Sequence, residues 1–124
     1  MHRDLVAIGA TATDHDSYVV PVGPVDVRVR IEPRRGACWV MLYVAIAHAK
    51  DRDAKRCRHT STSLVVGTLA TVGGVLLVRS KIRVEVATRA VLRTTLVMLA
   101  AEATQFEAAT RPACSRVTYA CFGH

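Results

Sequence analysis

Two hydrophobic periodicities divide the chain. Up to about residue 88 apolar positions recur at every second residue, and after that they recur every third or fourth. Leu5 to Ala10 alternates weakly and predicts a short strand. Thr11 to Ser17 is polar, carries Asp14 and Asp16, and suits a turn. Tyr18 to Val22 resumes a β-branched run, so residues 1–24 read as an N-terminal β-hairpin, with Pro21 and Pro24 confined to an edge or a strand end. Val25, Val27, Val29 and Ile31 share one face of the next strand, opposite Asp26, Arg28 and Arg30, until Pro33 to Gly36 interrupts it. Trp39 to His48 predicts a longer strand, apolar on both faces. Ala49 to Arg56 predicts a charged hairpin tip, Cys57 to Val66 a return strand, and Gly67 to Gly74 a flexible connection.

Val75 to Thr88 carries the clearest alternation. Arg79, Lys81, Arg83 and Glu85 take one face, and Ser80, Ile82, Val84 and Val86 take the other. That is a sheet with one apolar and one basic face. Leu92, Leu96, Leu99, Ala103 and Phe106 then follow at steps of four, three, four and three, the stripe of an amphipathic helix. Pro112 suits a break and a short second helix to about Ala120. Strands followed by segregated helices predict an α+β domain. The expected form is a single domain over 1–124: hairpin at 1–24, a five-stranded antiparallel sheet within 25–88, and two C-terminal helices within 91–120.

Charge sharpens the reading. Seventeen Lys and Arg against ten Asp and Glu leave +7 on 124 residues, which favours a polyanionic partner or an anionic membrane over a neutral one. The other reading of the cations is a plain solvated surface. Residues 59–78 lack formal charge, but Gly67, Gly73 and Gly74 and six Ser or Thr residues suit strand, loop and strand better than a bilayer-spanning helix. Cys38, Cys57, Cys114 and Cys121 contain no CxxC pair, so no metal site and no cofactor is implied. His2, His15, His48, His59 and His124 stand without a nucleophile or carboxylate at catalytic spacing, and Asp14, His15 and Asp16 fit a solvated turn. No enzyme and no small-molecule substrate is expected. The opening residues show no secretory pattern, which favours a reducing compartment.

The order of elements, the length, Tyr-Val-Val-Pro-Val at 18–22 and the Arg79–Ser80–x–Ile82–x–Val84–Glu85 segment running into the helix together resemble the coat proteins of small single-stranded RNA bacteriophages. The resemblance implies an interlocked homodimer, an icosahedral shell in a virion assembled in the bacterial cytoplasm, and a genomic RNA stem-loop held on the inner sheet face, where it represses translation. It places Arg79, Lys81, Arg83, Glu85, His59, Ser61, Ser63 and Tyr43 at the RNA, and Leu92, Leu96, Leu99 and Phe106 at the dimer interface. Lys81 and Arg83 stand where the family carries a stacking tyrosine and an amide, so phosphate contact is implied more than base reading. Two alternatives are a small basic nucleic-acid-binding protein that forms no shell, and a small membrane protein with a span near 59–78.

Overall fold

The structure, a computed structural model, describes the backbone of residues 1–48 and 66–121 and the side chains of 1–46 and 66–108. A short helix α1 (His2–Ala7) precedes strands β1 (Thr11–Asp14), β2 (Ser17–Val22), β3 (Val25–Arg34) and β4 (Ala37–His48). Strands β5 (Thr68–Val72) and β6 (Val75–Arg83) follow, then a 3-10 turn (Val84–Val86) and helix α2 (Arg89–Cys121). The strands form one antiparallel sheet in the order β1-β2-β3-β4-β6-β5. The α+β class holds, with six strands in place of five and a helix ahead of the hairpin.

Both helices pack on one face of this sheet. Val20, Val27, Val29, Val40, Leu42 and Val78 supply the sheet side of the core; Leu5 of α1 and Leu92, Leu96, Leu99 and Ala103 of α2 supply the other side. Phe106 extends the contact over Leu76 in a smaller cluster with Ile46 and Leu69. Burying a Leu or Val side chain contributes about 1.5–3 kcal/mol, so this layer is the main source of stability. Thr88 caps α2, its Oγ1 accepting from the Val91 amide at 3.2 Å. Arg89 Nε donates to Asp4 Oδ1 at 2.8 Å, and His2 Nδ1 meets the Tyr18 hydroxyl at 2.7 Å, so α1 is tied to both α2 and the sheet.

Several expectations are corrected. Leu5 to Ala10 is helix at its start, because Met1, Leu5 and Ile8, spaced four and three apart, all reach the core. Thr11 to Asp14 is a polar edge strand, exposed at every residue. The expected flexible connection holds strand β5, and Gly73 (φ 57) and Gly74 (φ 79) form its hairpin turn with β6, a left-handed pair that only glycine adopts cheaply. Alternation ends at Arg83, so Glu85 and Val86 lie in a turn beyond the strand. Helix α2 runs through Pro112, whose missing N–H costs one backbone hydrogen bond without ending the helix.

Strand β4 lies between β3 and β6, so both its edges are taken without the return strand expected at 57–66. Most of that segment, with His59, Ser61 and Ser63, lies outside the described residues. The described part of the 59–78 run is mainly strand, turn and strand. Among the described residues no helix is long and apolar enough to cross a membrane.

Candidate functional site

The face of the sheet opposite the helices carries the concentrated charge. Cross-strand register arranges it in three rows, each centred on a β4 residue. Tyr43 stands between Arg28 and Arg79, Met41 between Arg30 and Lys81, and Trp39 between Glu32 and Arg83. Strand period accounts for this: residues i and i+2 of each strand share a face, and antiparallel register sets the three strands' residues abreast. Arg34 extends the cationic margin opposite Ala37.

The centre of this face is apolar. Met41 is only 2% exposed, although its neighbours in the row are two long cations. Such side chains lay their methylene stems over apolar surface and keep their charge in water. Lys81 Nζ sits 5.0 Å from the centre of the Trp39 ring and the Arg83 guanidinium carbon 5.7 Å from it, both within cation–π range. Beside Trp39 and Met41 lies a depression of about 410 Å³, margined by Arg34, Arg35, Lys81 and Arg83. A second, of about 350 Å³, lies between Met41, Thr68 and Arg79.

Glu32 is the one carboxylate within these rows, and it is already engaged. Arg34 Nη2 stands 2.9 Å from its Oε2 and Arg30 Nε 3.7 Å from its Oε1. Oε2 makes no aligned hydrogen bond, so charge rather than bond geometry joins it to Arg34. The Tyr43 hydroxyl donates to Oε1 over a long 3.4 Å. Burial pushes the Tyr43 phenol above its ordinary range, and the Glu32 charge and that hydrogen bond add to the effect. Arg83 also meets Glu85 at 3.4 Å, but both side chains are more than half exposed and the pair is weak.

Arg79, Lys81, Arg83 and Tyr43 therefore share one face, and Glu85 sits at its edge. Leu92, Leu96, Leu99 and Phe106 are buried against this chain's own sheet, where the coat-protein arrangement would have placed them on a partner. The charge-bearing residues of β3, together with Trp39 and Met41, also belong to this face, although the sequence alone marks none of them as a binding residue. Their signal was present in the alternation of Arg28 and Arg30, but it needed the β3–β4–β6 register to become a site.

The sequence matches no protein-family model and no curated protein. Among solved structures, a chain of the HopA1–SchA chaperone–effector complex is similar over 85% of this chain and 85% of that chain, with a TM-score of 0.60 and 13% identity. A chain of the complex of the Yersinia pestis type III secretion chaperone SycH with a stable fragment of YscM2 is similar over 85% of this chain and 94% of its own. There the TM-score is 0.58 and the identity 11%. At such identities the likeness is one of fold.

That fold overturns the coat-protein resemblance. In the coat arrangement the helices cross to a neighbouring subunit; here they cover their own sheet, and β6 lies between β4 and β5. The shell, the virion, the genomic RNA stem-loop and the RNA-binding role assigned to the basic face fall with it.

Proposed function

We propose that this chain is a binding protein of the secretion-chaperone type, which holds another protein and catalyses no reaction. The observation that carries the reading is the fold likeness, which spans 85% of the chain in two separate chaperone complexes. The sheet face left uncovered by the described residues is consistent with it: broad, shallow and amphipathic, it suits a polypeptide better than an enclosed small molecule.

Titration of the purified chain with fluorescently labelled segments of secreted proteins, each tested unfolded and folded, examines this reading through anisotropy. Micromolar or tighter binding of some unfolded segments, with none for their folded forms, is the expected result. Failure of every segment, folded or unfolded, would remove it.

A further inference from the structure

We propose that the bound partner segment is acidic, and that it docks in extended form across Trp39, Met41 and Tyr43 on the open face of the sheet. This deepens the protein-binding reading and rests on it. The three rows and Arg34 bring together six cations and one carboxylate, and that carboxylate, Glu32, is already neutralised by Arg34 and Arg30. Among the described residues Asp26 lies beyond the rows and Glu85 pairs only weakly with Arg83, so most of the excess charge has no counterpart there.

Three kinds of occupant are separated by the pattern. A second copy docked face to face would set these cations against themselves, because a two-fold contact joins identical patches. A nucleic acid would meet these cations through its phosphates and leave the apolar line Trp39, Met41, Tyr43 between them unmatched, the Trp39 ring being already engaged by Lys81 and Arg83. An extended polypeptide alternates its side chains with a period of two, and so does the apolar line Trp39, Met41, Tyr43. A segment whose every second residue faces the sheet, with Asp or Glu and large apolar residues taking turns at those positions, would set its carboxylates at the flanking cations and its apolar groups in the two depressions.

Trp39 is the only tryptophan in the chain, so its emission reports on this face directly. Four probes of matched length would be titrated into the full chain: a peptide in which Glu and Leu or Phe take turns at every second position with Ser between them, the same peptide with Gln for Glu, the same with Lys for Glu, and a single-stranded RNA. The Glu peptide is expected to shift Trp39 emission and to bind about tenfold more tightly than the Gln peptide, with the Lys peptide weakest. The Lys81→Gln/Arg83→Gln variant, altered at two exposed positions and checked for fold by circular dichroism, should lose about that factor. Arg93→Gln, also exposed but on α2, should leave binding unchanged.

Equal binding of the Glu and Gln peptides, insensitive to the double substitution, would overturn the acidic assignment and leave the protein-binding reading standing. RNA bound as tightly as the Glu peptide, and weakened by the same substitutions, would overturn it in favour of a general polyanion site. A concentration-dependent dimer in sedimentation that itself shifts Trp39 emission would overturn it in favour of a second copy. Absence of binding by any probe would overturn the docking proposal, and the protein-binding reading would fall only if the unfolded segments above also failed.

Discussion

Placing one methyl group on Gly67 tests how tightly α2 is set on the sheet. Gly67 stands where the chain enters β5, and Glu102 of α2 accepts its amide and that of Val66, each at 2.8 Å. A Cβ there would collide with Val78 Cγ1 and lie 2.9 Å from Leu99 Cδ1. Carbon atoms prefer roughly 3.5–4.0 Å. Val78 and Leu99 are both fully buried, so neither can swing into solvent. Overpacking of this kind costs about 1–3 kcal/mol. The lower entropy of the unfolded alanine chain returns about 0.4–1 kcal/mol, which leaves a net loss of about 1–2 kcal/mol for Gly67→Ala. With about 2.1 cal/mol/K of unfolding entropy per residue, 124 residues convert that loss into a Tm lower by about 4–8 °C. Scanning calorimetry measures it directly. In a Val78→Ala background the worse of the two collisions is removed and only the Leu99 contact remains, so the same substitution should cost measurably less there. A Gly67→Ala protein as stable as the parent, or strictly additive effects in the pair, would refute the close approach.

Three further outcomes follow from the same packing. Leu96→Asp, at a site 3% exposed, should leave the chain unfolded by circular dichroism, because an unpaired buried charge costs several kcal/mol against a total stability of about 5–15; a folded variant would show the helix face to be misassigned. Arg89 holds the Asp4 carboxyl below its ordinary range through its hydrogen bond, so the contact stabilises α1 above the usual carboxylate pKa and is lost as pH falls through the lowered one. Amide exchange in α1 should therefore quicken on acidification below the carboxylate range, and Arg89→Gln should remove that acid-dependent step. Tyr43, assigned by comparison with Tyr43→Phe, should ionise above the ordinary tyrosine range in an ultraviolet titration. Glu32→Gln should lower that pKa by removing the carboxylate charge, while Arg34 and Arg79 continue to favour the phenolate.

Local patterns carried part of this structure into the sequence. The alternation of Arg79, Lys81 and Arg83 with Val78, Ser80 and Ile82 is a property of one strand, and it separates basic face from apolar face without knowledge of any neighbour. The stripe from Leu92 to Phe106 does the same for α2. Strand β5 was hidden because it is short and rich in Thr and Ala. Helix α1 was hidden because only Leu5 among its residues is fully buried.

What the sequence by itself determined about this protein is the side to which each β6 residue points and the stripe α2 buries, since both depend on contacts a few residues apart. The tertiary structure decided which strand lies beside β4, whose sheet the helix covers, and that Trp39, Met41 and Tyr43 form one line between two rows of charge. Those are pairings between residues about 10 to 70 positions apart, and one order of elements is compatible with more than one set of them. The fold found here and a phage-coat fold therefore read alike along this chain until β6 is seen to pair with β4.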